Sequence, residues 1–519
     1  MKPHMSVARV LLMGLAVLSL TACPPGGGGE TGGGSGSTGG GSATGGGSAT
    51  GGGSATGGGT ATGGGTATGG GTATGGGAPG DGGCVTLTFT AGQEQQIQDA
   101  VNALQNCTTI VLGAGTYHFD NALTIRSQNA GTLANFTLRG AGKGVQGEAT
   151  GSGSSTVLDF SNAVANSNGV DIVANTLIVE DLTIWNAKKD ALRVENSDGV
   201  ILRRVRTEWA TENATTNGAY GLYPVSSTHV LMEDCESYNA ADAGIYVGQT
   251  TFVTVRNCIA KKNVAGIEIE NTRFADVYGN LAEDNTTGLV VFDLPSNPVA
   301  GTDIRVHHNT VRNNNRANFA SVTSSSSTVS QVPAGTGSFV MASRRVEFFA
   351  NTWLNNNSVD FAVISGLSIT GFDPTPWIIG NFAVDNIYVH DNVFMGGSGD
   401  DVDDTDSNRI LGVFIGGLYG FGVATAQVPY VEPLFWDGYD TDGGANPIAL
   451  CFNNNELDAG QPYAVANLNF PGSLPYLITF NATGDAGALA DAWGATSRFA
   501  NNTAPFNCTG ISIDAGYTP

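Results

Sequence analysis

Six residues placed in four neighbouring stretches could do chemistry on a sugar: Arg193, Glu195, Tyr223, Tyr246, Glu268 and Glu270. Tyrosine rings stack on pyranose faces and charged groups bond hydroxyls. Glycosidic cleavage needs two carboxyl groups whose separation sets the stereochemistry. Glu268 and Glu270 lie two residues apart and so share one side of an extended strand, with Glu195 on a nearby stretch. Proton abstraction beside a carboxylate would draw on Arg193, Tyr223 and Tyr246, with Lys188, Lys189 and His229 as further participants. The competing expectation is a solvated face held by cross-strand ion pairs. Asp400, Asp401, Asp403, Asp404 and Asp406, in DDVDDTD, offer oxygen ligands to Ca²⁺, the one cofactor the sequence suggests. The glycine and distal glutamate of an EF-hand loop are missing there, so an acidic loop without metal is the other reading. His307 and His308 lack a third His or Cys nearby in sequence for a metal site.

The elements that must position these residues repeat. GLYPVSSTHVLMEDCESYNAADA, GIYVGQTTFVTVRNCIAKKNVA and GIEIENTRFADVYGNLAEDNTT follow one another, with Gly221, Gly244, Gly266 and Gly288 opening successive copies. A period near 22 residues is that of a solenoid. Short alternating runs broken by Asn, Asp, Gly and Ser make each copy a coil of strands, and the whole an all-β, parallel β-helix. The alternation puts the second and fourth residues of each five-residue run that begins a coil inside. The row Asp171, Arg193, Tyr223, Tyr246, Glu268 then faces outward, with Glu195 and Glu270 in the next row. At a later turn Leu182, Val205, Cys235, Cys258, Asn280, Asn309, Asn351 and Asn392 fall at equivalent places, which predicts a stack that becomes an asparagine ladder. An amphipathic helix over 92–104 would cap the first coil after the strand at Val85 to Phe89. Insertions at 295–302, 317–336 and 366–382 would collect as loops walling a groove. From about Ile410 an irregular C-terminal cap is expected.

The capping helix, the V-x-L-x-x-G-x-Y strand from Val111 to Tyr117 and the strand end Leu138-Arg139-Gly140 resemble the start of the pectin-lyase-like right-handed β-helix superfamily. The likeness covers most of the chain from Val85 onward and is closest to exported β-helix repeat lipoproteins. It implies a right-handed coil and a polysaccharide partner, with a lyase or epimerase as the implied activity. A non-catalytic carbohydrate-binding or adhesive surface protein is the alternative. The Asn-Thr-Asp, Asp-Asp and His-Gly signatures of polygalacturonase-like hydrolases are absent from matching positions. So are the Asp-Pro-His-Asp motif of alginate epimerases and the Trp-Ile-Asp-His and Arg-x-Pro-x-x-Arg motifs of pectate lyases.

Residues 1–22 carry Lys2, Arg9 and an apolar run too short to span a bilayer, which reads as an export signal. Leu20-Thr21-Ala22-Cys23 resembles a lipobox, implying acylation at Cys23, a membrane anchor and an outer-membrane lipoprotein, at the cell surface or facing the periplasm. Residues 23–83 hold GGGSAT and GGGTAT repeats with nothing to bury, a tether of about 40 Å r.m.s. span ahead of a folded domain over 84–519. Another exported protein is a reasonable partner for such a lipoprotein. The net charge of −23 argues against nucleic acid and against unassisted binding of polyanions; neutral glycans fit more easily. With Cys23 assigned to lipid, Cys84 with Cys107 and Cys451 with Cys508 would clip the two ends. Cys235 and Cys258 would stack inside, as thiols or as a bridge.

Overall fold

The computed structural model describes residues 84–127, 131–295, 297, 299–320, 328–369, 375–377, 382–403, 412, 415, 431–439, 449–459, 463–468, 498–500, 506–508 and 510–519. The signal, Cys23, the Gly-rich repeats, Asp404 and Asp406 lie outside the described residues. Two coils show how the rest are made. Strands Ala243–Gly248, Thr251–Arg256 and Ile259–Lys261 are followed by Ala265–Glu270, Arg273–Tyr278 and Leu281–Glu283. Each pairs in parallel with its counterpart, so Ile245 lies on Ile267, Thr254 on Asp276 and Ala260 on Ala282. Repetition gives three columns of strands. One is a 12-stranded sheet, here the shorter sheet; the other two form a 21-stranded sheet, joined where Ala174–Trp185 and Asp198–Glu208 cross the corner unbroken.

The interior follows from alternation. Ile245, Val247, Val253, Val255, Cys258 and Ala260 all point inward and are buried, and β-branched side chains suit a pleated surface packed on one face. Each large one contributes about 1.5–3 kcal/mol on burial. The corner of the longer sheet is turned by one left-handed residue per coil: Asp181, Arg204, Asp234, Asn257, Gly279, His308, Ala350 and Asp391 all have positive φ. His308 therefore occupies the turn while His307 stays on the strand. The residue after each turn enters the core, which is the stack expected from Leu182 to Asn392. Its amides are fully bonded. Asn309 Oδ1 accepts from Asn280 N and Nδ2, both at 3.0 Å, while its Nδ2 donates to Val277 O at 2.9 Å and to Asn351 Oδ1 at 3.0 Å. The ladder continues to Asn455, and a second one runs through Asn263, Asn285, Asn314 and Asn356.

The outer row of the longer sheet stacks Arg139, Glu180, Arg203, Glu233, Arg256, Tyr278, His307, Phe349 and His390 in register. Glu180 pairs with Arg139 and, at 2.5 Å, with Arg203 Nε; Arg256 reaches Glu233 at 2.6 Å. The rings then take over, with stacked centroids 4.9, 4.6 and 5.5 Å apart from Tyr278 to His390.

At the N-terminal end, helix Glu94–Asn102 buries Ile97 and Val101 in the core, and Cys84 is bonded to Cys107. Cys451 is bonded to Cys508, while Cys235 and Cys258 are free, buried and stacked, with Cys235 N 3.4 Å from Cys258 Sγ. The expectation of an irregular cap from Ile410 is corrected. Strands Leu434–Trp436, Cys451–Asn453, Glu456–Leu457 and Val465–Asn467 still pair in parallel, because Leu434, Phe452 and Val465 keep the inward apolar positions that stacking requires. The segment 510–517 then runs back across the coils outside the longer sheet. Gly510 lies against the Tyr388 ring, Ile513 O accepts from Arg305 at 3.4 Å, and Tyr517 N donates to Thr254 Oγ1 at 2.8 Å. Among the described residues no helix is long and apolar enough to cross a membrane.

Candidate functional site

The shorter sheet stacks Asp171, Arg193, Tyr223, Tyr246 and Glu268 in one outward row, and Glu195, Val225, Gly248 and Glu270 in the next, as the alternation dictates. Between them the coils supply small residues. Ala243 lies on Ala265, and a Cβ on Gly248 would fall 2.2 Å from Tyr246 Oη, so the Tyr246 ring lies across the glycine. Tyr220, one residue before a coil start, completes a trio of rings. Its centroid is 4.6 Å from Tyr223 and 4.8 Å from Tyr246, and Tyr223 meets Tyr246 edge-on at 4.8 Å. Tyr220 and Tyr223 are partly exposed; Tyr246 is buried.

Carboxyl groups gather at this trio. Glu268 is 2% exposed and Glu270 7%, and Glu268 Oε1 has no hydrogen-bond partner. Glu270 is bonded by the Tyr246 hydroxyl and by Gln249 Nε2 at 2.8 Å. Burial pushes the Glu268 carboxyl well above the usual range, and the neighbouring Asp242 and Glu270 carboxylates add to it. Burial likewise lifts Glu270 to about 7, against the Tyr246 bond. Tyr223 is pushed up to about 12 by burial and then by Asp190. On the other side of the trio, Asp190 is fully buried, 3.7 Å from Lys189 Nζ. Burial raises it to about 6 despite Lys189 and Arg193. Arg193 is engaged by Glu195 at 2.5 Å and Asp171 at 3.8 Å, and Arg126 joins Asp171 at 3.1 Å.

All six sugar-site candidates thus share one face; its Asp171, Arg193 and Glu195 end is the partly exposed, ion-paired face expected, whereas Tyr246, Glu268 and Glu270 are buried and not solvated. Beyond Glu268 the outward row turns apolar, through Val290, Phe339, Ala362 and Phe435. Phe319, Val329, Val332, Leu367 and Trp377, from the inserted segments, pack with them into a second apolar cluster. An outward apolar row must be covered, so these insertions lie over the sheet. His229 stands apart, bonded to Asp198 at 2.7 Å and stacked on Phe252. Asp400 and Asp401 are exposed, and Asp403 accepts from Ala334 N at 3.0 Å, beside the coil of Val359–Ile364, which lies three strands beyond that of Glu268. Among the described residues no group of three or more His, Cys, Asp or Glu is arranged to hold a metal ion.

The arrangement can stack a sugar ring on Tyr220 and Tyr223, and it holds carboxyl groups whose protonated, proton-donating form is favoured by burial. Sequence reasoning missed Tyr220, Asp242 and Asp190. They precede the coil-opening residues Gly221, Gly244 and Ala191 by one or two places, where strand alternation does not assign a face.

The family described as "Right handed beta helix region" matches residues 100–304 and 210–394. No curated protein matches the chain. Among solved structures, the A-module of the Azotobacter vinelandii mannuronan C-5 epimerase AlgE4 is similar at 14% identity, over 72% of this chain and 92% of that one, with a TM-score of 0.40. An alginate lyase from Paenibacillus sp. is similar at 13% identity, over 60% and 98% of the two chains, with a TM-score of 0.33. PfbA, a surface adhesin of Streptococcus pneumoniae, is similar at 11% identity, over 72% and 89%, with a TM-score of 0.41.

Proposed function

The chain belongs to the right-handed beta-helix family, and from that premise we propose that it engages a polysaccharide along the outer face of its shorter sheet. The observation that carries this is the convergence of Tyr220, Tyr223 and Tyr246 with Glu268 and Glu270 over a floor of Ala243, Ala265 and Gly248. Tyr220 and Tyr223 take the sugar rings. Glu268 and Glu270 supply acid–base chemistry to a lyase, epimerase or hydrolase, with Arg193 and Glu195 holding the chain at the far end. A non-catalytic binding protein is the second reading, favoured by the burial of both carboxyl groups beneath the rings.

Incubation of the purified full chain with neutral and uronate polysaccharides, with and without Ca²⁺, separates these. Unsaturated ends mark a lyase, new reducing ends alone a hydrolase, and changed uronate configuration by NMR an epimerase. Tyr223→Ala is expected to weaken retention at least tenfold, from the loss of about 1.4 kcal/mol or more of stacking. Retention without chemical change selects the binding reading, and neither retention nor change across the panel rejects the proposal. Display is proposed to be on a lipid anchor at Cys23 of the outer membrane, with the Gly-rich repeats as tether, on the strength of the lipobox and composition. An exported partner and Ca²⁺ at Asp400, Asp401, Asp403, Asp404 and Asp406 remain proposals of the same kind; calorimetric titration with Ca²⁺ tests the latter.

A further inference from the structure

The acidic side of the tyrosine trio lacks the cations that the carboxylates of the longer sheet receive. Glu180 is held by arginines, Glu233 by Arg256, Asp276 by Arg305 and Glu283 by Lys261 and Arg312. Among the described residues, no Lys, Arg or His forms an ion pair with Glu268 or Glu270; the charges that perturb Glu268 are Asp242 and Glu270, and those that perturb Glu270 are Asp242 and Asp293. Their stacked neighbours are Tyr246 and Val290 for Glu268, and Gly248 and Phe292 for Glu270. A buried oxygen such as Glu268 Oε1 costs free energy unless a donor reaches it. Beside it stand three aromatic rings, whose faces attract a cation.

We infer that the glycan engaged by this face carries free amino groups, with one ammonium entering between the rings of Tyr220, Tyr223 and Tyr246 and the carboxyl groups of Glu268 and Glu270. This rests on the polysaccharide reading above and adds the substrate class. An ammonium supplies the donors that Glu268 Oε1 lacks and the positive charge that Glu268 and Glu270 lack, and the rings close around it. An N-acetylated sugar offers the same pyranose without the charge. A uronate brings a further negative charge to the acidic end.

The test titrates the purified full chain calorimetrically with a β-1,4-linked glucosamine hexamer, its fully N-acetylated counterpart, an oligogalacturonate and CaCl₂. The expected result is binding of the free-amine hexamer at least tenfold tighter than the N-acetylated one. Glu268→Gln is expected to erase that preference while residual binding through Tyr223 persists; Glu270→Gln is the second variant should the first not fold. Equal binding of the two hexamers, preference for the uronate, or competition of CaCl₂ for the same site overturns the amino-sugar inference while leaving the polysaccharide reading standing. Binding of no glycan at all overturns both.

Discussion

On the longer sheet, Glu180 sits in register between Arg139 and Arg203; on the shorter sheet, Glu268 sits in register between Tyr246 and Val290. Both carboxyl groups are buried, on outward rows of the same coils' architecture. Burial works to raise both, but arginine bonds outweigh it and hold Glu180 below the usual range, while the charges that perturb Glu268 are those of other acids and it stays above. In a stacked fold a residue's electrostatic partner is chosen one coil away in sequence. The same side chain is therefore a structural clamp in one column and a reactive group in another, and the column, not the residue type, has to be inspected.

Four measurements break or sharpen this contrast. Glu180→Gln should cost about 3 kcal/mol in chemical denaturation, since it leaves Arg139, Arg203 and Arg204 facing one another; their partial exposure keeps the loss at the low end for a broken pair. Glu270 behaves oppositely. Its folded pKa is raised from 4.5 to about 7, so wild-type stability declines as pH rises between those values. Glu270→Gln should remove that decline, gaining about 2 kcal/mol on the wild type across the window in pH-resolved melts. Glu268→Gln should stabilise by about 1 kcal/mol near neutrality, because the unpaired buried acid is replaced by a neutral amide. A loss as large as that of Glu180→Gln would abolish the distinction between the two faces. The smallest effect is at the end of the ring stack. Burial lowers the His390 pKa, but bonds from Glu347 and Asp391 prevail and raise it. The stability it contributes is present below the unfolded value and is lost as pH rises through the folded one. His390→Gln should then cost about 0.5 kcal/mol near pH 6 and nothing near pH 9.

The register of the site was legible in the sequence because a coil fixes it. Once Gly244 and Gly266 are aligned, Tyr246 must lie on Glu268 and the inside must receive Ile245 and Ile267. Burial was not legible, because it depends on inserted segments such as those of Phe319 and Trp377, which carry no period to read. The asparagine ladder from Asn280 is legible from its equivalent places in successive coils, and the second repeats it, since Asn263, Asn285, Asn314 and Asn356 each follow Cys258, Asn280, Asn309 and Asn351 by five residues. The continuation of coils past Ile410 is not legible in the sequence because its strands, such as Leu434–Trp436 and Val465–Asn467, are only three residues long.

Most bonds in this molecule join residues one coil apart, such as the 22 residues between Asn263 and Asn285, so coils can add one after another as the chain emerges. The segment 510–517 obeys a different clock. Its bond from Tyr517 to Thr254 closes a loop of 263 residues and that from Arg305 to Ile513 one of 208, contacts that form only after the intervening coils exist. Interactions made after the transition state leave the folding rate nearly untouched and slow unfolding instead. Lying across the stack from Tyr388 to Thr254, this segment has to detach before those coils can peel apart, so it lengthens the lifetime of the folded protein more than it changes the pathway that builds it.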